Sequence, residues 1–212
     1  PNDEVVEERL AEGEGLTRPE LSVLLSYAKM ELYEKLLESD LANSKGLEPD
    51  LVKYFPRPLR RGHKGAILQH RLRREIIATI TANSIVNRLG ITFVHDVMAE
   101  TGASIEAVAR CYSAARDLFG MRALWSEIET LDNKVSTTVQ TGIALKTAEF
   151  LRRMTLWFLQ NVEQPLKINS TVTAFGPGIV SLAEQLEDVV GALEEKKMSR
   201  GVATLVKQGV DE

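Results

Sequence analysis

The most unusual local feature of the sequence is a run of basic side chains between residues 57 and 74, which contains no acidic residue. The candidate site residues in it, here termed the basic cluster, are Arg57, Arg60, Arg61, Lys64, His70, Arg71 and Arg74. Because guanidinium groups bind carboxylates and phosphates through paired hydrogen bonds, the cluster is a candidate site for an anion or for an acidic partner surface. The alternative is ordinary surface ion pairing with acidic helices such as the one that carries Glu31, Glu34 and Glu38.

Two amide side chains form a second candidate site. Asn83 and Asn87 are separated by one helical turn in a predicted helix over 66–89. The remaining members of their stripe are apolar: Leu68, Leu72, Ile76 and Ile80. Amides on such a stripe need hydrogen-bond partners, so we expect both at polar positions in the core or at an interface.

Other residues with chemical potential do not form a recognisable site. The histidines, His63, His70 and His95, lack the spacing with a carboxylate that zinc enzymes use. The single cysteine, Cys111, is expected to pack as a small hydrophobic side chain. The glycines at 13–15 and 176–178 follow no predicted strand and lack the third glycine of a dinucleotide fingerprint. We therefore expect no catalytic, cofactor-binding or metal-binding residue in this chain.

Composition favours an ordinary globular protein. Of the 212 residues, 44% are hydrophobic and 26% are charged, and the net charge is −4. The mild acidity argues against a nucleic-acid binder, and no apolar run approaches the roughly 18 residues of a membrane span. The lone cysteine requires no oxidising compartment. We expect a cytoplasmic protein that binds neither nucleic acid nor membrane and, since it begins at Pro1 rather than Met, a piece of a longer chain.

Helical signals dominate the sequence and predict an all-α, bundle-like domain with two long helices, over about 66–89 and 135–161. A capping box formed by Thr17 and Glu20 begins an earlier helix that ends near Ser39. Towards the end of the chain, residues 176–178 are predicted to separate a segment over 168–175 from a helix over 179–193. The predicted organisation is a linker over 1–14, a helical domain over 15–193, and a terminal helix or tail over 194–212.

Five segments together resemble one protein family, the large bacterial NAD-specific glutamate dehydrogenases. These segments are GLTRPELSVLLSYAKMELYEKLLESDL (15–41), YFPRPLR (54–60), HRLRREIIATITANSIVNRLGITFV (70–94), ETGAS (100–104) and LWSEIETLDNKV (124–135). The first and third are the most specific. The resemblance implies that the chain is the helical C-terminal portion, downstream of the catalytic core.

The resemblance also implies that catalysis and cofactor binding take place in other parts of the parent enzyme. The parent enzyme would oxidise L-glutamate with NAD to 2-oxoglutarate and ammonium, and NAD would bind the parent rather than this fragment. The implied partners are the catalytic domain of the same polypeptide and further copies of the parent in a homo-oligomer. The first hypothesis is thus a non-catalytic segment that supports domain packing, assembly or regulation. The alternative is a free-standing helical module that binds an anionic ligand or an acidic partner through the basic cluster.

Overall fold

The computed structural model describes residues 4–13 and 15–210. Over this part of the chain every regular element is a helix, which confirms the predicted all-α fold. The chain forms two compact units, one up to Ala109 and one from Arg110 onward. The predicted segment boundaries after residues 14 and 193 differ from this division and stay predictions.

The first unit is built around two packed helices. Its elements are α1 (Glu4–Ala11), α2 (Arg18–Glu38), α3 (Glu48–Tyr54), α4 (Arg57–Gly62), α5 (Lys64–Leu68), α6 (Arg73–Leu89), α7 (Phe93–Thr101) and the first part of α8 (Ile105–Leu118). Helix α6 packs against α2 and α3, and two short 3-10 turns join α2 to α3. The residues that α6 buries are Ile77, Ala78, Thr81, Ala82 and Ile85, which recur every three or four positions as one face of a helix requires.

The predicted capping box at the start of α2 is confirmed. The Thr17 backbone N–H donates to Glu20 Oε2 over 2.7 Å, and Arg9 on α1 forms an ion pair with Glu20 at 2.9 Å. Hydrogen bonding with Thr17, aided by the charge of Arg9, holds the pKa of the Glu20 carboxyl below its ordinary value. The same carboxylate thus caps α2 and joins α1 to it. Helix α1 lies inside the segment predicted as a linker, residues 1–14. Residues 1–3 and 14 of that segment lie outside the described part.

The helix predicted over 66–89 is interrupted, and its buried stripe is displaced. Helix α5 ends at Leu68, the chain turns through Gln69–Leu72, and α6 begins at Arg73. In this turn His70 Nδ1 accepts a hydrogen bond from the Leu72 N–H over 3.2 Å, and the His70 ring lies edge-on to Phe55. The turn changes the register, so that Leu72 is exposed and Ile77 is buried.

The second unit contains the longest helix. Its elements are the rest of α8, α9 (Met121–Thr130), α10 (Thr137–Asn161), α11 (Ile168–Glu184), α12 (Leu186–Val189) and α13 (Ala192–Lys207). Helix α10 confirms the long helix predicted over 135–161. Gln140 on α10 donates a hydrogen bond to the Ile128 carbonyl of α9 over 3.0 Å, while Trp157, Phe158 and Phe175 form edge-to-face pairs between α10 and α11.

The break predicted at residues 176–178 is wrong, because α11 continues through Pro177. A proline inside a helix removes the hydrogen bond to the carbonyl four residues earlier, here that of Thr173. Both Pro177 and Thr173 are exposed, so water can bond that carbonyl instead. Further on, α13 occupies most of the segment predicted as a terminal helix or tail, whose last two residues, 211 and 212, lie outside the described part.

Candidate functional site

The structure divides the basic cluster into two groups with different surroundings. The cluster lies on α4, α5, the turn that precedes α6 and the first turn of α6. Arg57, Arg61, Lys64 and Arg71 are exposed, whereas Arg60, His70 and Arg74 are half-buried. The half-buried members contact backbone groups of the first unit, as follows.

Arg60 closes the C-terminal end of α3. Its Nε donates to the Phe55 carbonyl over 2.6 Å, and a terminal guanidinium nitrogen donates to the Lys53 carbonyl. The last carbonyls of a helix lack intrahelical partners and carry partial negative charge, so a guanidinium group there satisfies both the hydrogen bonds and the charge.

Arg74 closes the end of α2 from a position far away in the sequence. One guanidinium nitrogen lies 2.6 Å from the Leu37 carbonyl oxygen and 3.4 Å from that of Ser39. This contact joins the first turn of α6 to the last turn of α2. The guanidinium groups of Arg60 and Arg74 therefore already bind carbonyls, and His70 is held in the turn described above.

The exposed members of the basic cluster are the ones that an external anion could reach. They are Arg57, Arg61, Lys64 and Arg71, spread over α4, α5 and the following turn. On the acidic face that the sequence suggested as an alternative partner, Glu38 pairs with Lys35 at 3.3 Å. The anion site and the acidic partner surface both stay predictions for these four residues.

The two amides do not lie in the core. Asn87 is exposed, and Asn83 is half-buried on α6. Asn83 borders a groove of about 350 Å³ between α2 and α6, whose other lining residues include Lys29, Met30 and Tyr33. Neither amide is among the residues that α6 buries, which include Ile77 and Thr81. The interface position stays a prediction.

A further surface that sequence reasoning missed is the first half of α2. Its exposed apolar side chains lie on two opposite sides of the helix, Leu21 and Leu25 on one and Val23, Tyr27 and Met30 on the other, and are together termed the α2 apolar face. A second groove of about 420 Å³ adjoins it and is lined by Leu24, Ala28, Glu31 and Glu34 as well as two residues of the face. A helix with apolar residues around its whole surface is usually covered on every side, yet the side chains of the α2 apolar face are exposed.

Helix α8 holds a buried guanidinium group that the sequence did not single out. The Arg116 side chain is 1% exposed, and its Nε and a terminal nitrogen lie 2.8 and 3.0 Å from the two Asp117 carboxylate oxygens. Arg122 contacts the same carboxylate at 3.1 Å. The Arg116 guanidinium group also lies over the Tyr112 ring. Paired and stacked in this way, Arg116 has a structural role in the second unit.

Cys111 lies one turn before this group and is fully buried. Its Sγ lies 3.6 Å from Gln164 Nε2, and burial raises the pKa of the thiol to about 12. Since the thiolate is the reactive form, we expect the native chain to react with a disulfide reagent at pH 8 about a hundredfold more slowly than the urea-unfolded chain. Ellman's reagent measures this directly, because the chain has one thiol. Equal rates in the two states would contradict the buried position.

The described residues contain neither a metal-binding cluster nor a single helix that could span a membrane. Among residues 4–13 and 15–210, no group of three or more His, Cys, Asp and Glu side chains is arranged to hold a metal ion. Within the same part of the chain, no single helix is long and apolar enough to cross a membrane, although α6 and α7 pass that test jointly with a bend of 88° between them.

Comparison with known proteins agrees with the resemblance noted in the sequence. The family described as glutamate dehydrogenase, C-terminal, matches residues 13–212. Three curated relatives, each named NAD-specific glutamate dehydrogenase, align with all 212 residues: those of Halomonas elongata (38% identical), Pseudomonas aeruginosa (37%) and Mycobacterium tuberculosis (27%). The chain spans 13% of the length of each of these relatives.

Proposed function

Since the chain belongs to the glutamate dehydrogenase C-terminal family, we propose that it is a non-catalytic helical segment of an NAD-dependent enzyme that oxidises L-glutamate to 2-oxoglutarate and ammonium. The observation that carries the proposal is the match of the whole chain to 13% of each NAD-specific relative. The fold supports it, because the described residues form helices whereas Rossmann-type dinucleotide binding uses a parallel sheet. In this proposal NAD and glutamate bind elsewhere in the parent, a cytoplasmic homo-oligomer.

The proposal assigns the α2 apolar face to contact with the remainder of the same polypeptide. In the relatives that remainder is 87% of the chain (100 − 13), which is ample to cover one helix. The face belongs to α2, which lies within residues 15–41, one of the two most specific segments of the resemblance. Its acidic rim, Glu31 and Glu34, favours a covering surface that carries basic groups beside apolar ones.

The first experiment measures NADH formation at 340 nm with L-glutamate and NAD. The full-length parent and the 212-residue chain are assayed side by side at equal molar concentration. We expect turnover by the parent and none by the chain. Turnover by the chain alone, or a parent that ignores glutamate, would overturn the proposed function.

A second experiment tests the contact surface in the parent. Leu25→Asp combined with Tyr27→Asp places two charges in the α2 apolar face, and we expect at least a tenfold loss of soluble, active enzyme. The control is Leu145→Asp with Val180→Asp, which changes two apolar residues of the second unit that are more exposed. The isolated chain with either pair of changes should keep its helical circular dichroism. Equal losses from both pairs would contradict the assignment of the α2 apolar face.

A further inference from the structure

Helices α10 and α13 form a groove in the second unit that the proposed function does not use. Gly209, two residues beyond the end of α13, lies against the residues that precede α10, since a Cβ on it would stand 3.7 Å from the Lys134 carbonyl oxygen. At the other end, Lys146 of α10 and Arg200 of α13 line the same groove. The two helices therefore run antiparallel along it, and its volume is about 360 Å³.

The floor of the groove is apolar and open. Val139, Ile143 and Leu205 line it, together with Gly142 and Gly201. A Cβ added to either glycine would meet nothing within 4 Å, so these positions border empty space. Glycine is less favourable than alanine in a helix interior, and here two such residues face one groove.

The rim of the groove is cationic. Lys146 and Arg200 line it directly. The stretches that border it, residues 137–148 and 196–208, contain five basic residues; Glu149 and Glu195 adjoin these stretches, and Lys197 pairs with Glu194 at 3.3 Å. Gln208 adds an amide, and the Thr204 hydroxyl donates to the Arg200 carbonyl over 2.8 Å. A cationic rim above an apolar floor suits a ligand that is anionic at one end and aliphatic along its length.

We propose that the α10–α13 groove binds a small aliphatic carboxylate. The carboxylate group contacts Lys146 and Arg200, and the hydrocarbon part lies over Val139, Ile143 and Leu205. The volume falls within the few hundred cubic ångströms typical of small-molecule sites, and the two cations, Lys146 and Arg200, match a single carboxylate group. The site is separate from the α2 apolar face, so it stands whether or not the proposed function does.

The test uses the 212-residue chain and three probes in parallel titrations followed by NMR. Octanoate carries charge and hydrocarbon, octanamide carries the hydrocarbon without charge, and inorganic phosphate carries charge without hydrocarbon. We expect octanoate to shift the amide signals of Gly142 and Gly201 and to bind at least tenfold more tightly than either other probe. Equal affinity for octanoate and octanamide, or for octanoate and phosphate, would overturn the proposal.

Two pairs of substitutions distinguish octanoate binding in the groove from attraction to the positive charges of the chain in general. Lys146→Gln with Arg200→Gln should weaken octanoate binding about tenfold, because both changes act at the proposed carboxylate contact. Arg18→Gln with Lys53→Gln removes the same charge from exposed positions of the first unit outside the basic cluster and should leave the affinity unchanged. Gly201→Leu fills the floor and should weaken binding while the two cations remain. An unaltered affinity in the first pair, or an equal loss in both, would contradict the site.

Discussion

Replacing Leu36 by alanine should lower the free energy of unfolding of the first unit by about 3 kcal/mol, a typical cost for truncating a buried leucine. Leu36 is 0% exposed and lies on α2, which packs against α6 and against the 3-10 turn that follows α2. The loss combines the transfer free energy of the deleted carbon atoms with the cavity they leave. Helix propensity contributes little to the difference, since leucine and alanine are both strong helix formers.

The measurement has to report on the first unit alone. Both tryptophans, Trp125 and Trp157, lie in the second unit, so their fluorescence follows that unit. Hydrogen exchange of the α6 amides, recorded with and without the substitution, gives the stability of the first unit. The matched control is Leu25→Ala on the same helix, where the side chain is 37% exposed and we expect a change below about 0.5 kcal/mol. Equal effects at the two leucines would show that the exposed half of α2 is also packed.

The contrast between Leu36 and Leu25 shows what a sequence pattern can and cannot predict. An apolar stripe along α2 indicates which side chains need a partner, and it does so equally for both leucines. Which of them has a partner within this chain depends on the packing of α6 against one half of the helix. The sequence therefore predicted the helix and its capping box, which are local, but not the open α2 apolar face, which depends on distant contacts.

The same distinction explains the two departures from the predicted helices. The register of α6 depends on the turn at Gln69–Leu72, where His70 contacts Phe55 fifteen positions away (70 − 55). The apolar periodicity read from the sequence continues through that turn and therefore predicts the wrong buried face for α6. At Pro177 the local rule predicts a break, but the exposed surroundings of the helix tolerate the missing hydrogen bond.

The basic cluster shows this dependence on distant contacts more clearly, because its arginines have identical chemistry and different roles. Sequence reasoning identified the charges but treated them as one group. The structure assigns Arg60 and Arg74 to helix ends and leaves Arg57 and Arg71 exposed. For Arg74 the partner is the Leu37 carbonyl, 37 positions away, and no motif in the sequence marks that carbonyl as an acceptor. The roles of these arginines follow from tertiary structure alone.

Arg74→Met should therefore destabilise the first unit by about 2 kcal/mol, within the range for hydrogen bonds made by a charged group. The methionine keeps the aliphatic length but leaves the Leu37 and Ser39 carbonyls at the end of α2 without their donor. Arg71→Met removes the same charge three residues earlier, where the side chain is exposed, and should cost less than about 0.5 kcal/mol. Hydrogen exchange of the α2 and α6 amides compares the two variants. Equal losses would mean that net charge stabilises this unit, whereas a loss confined to Arg74 supports the cap and leaves Arg71 as the residue with which to test anion binding.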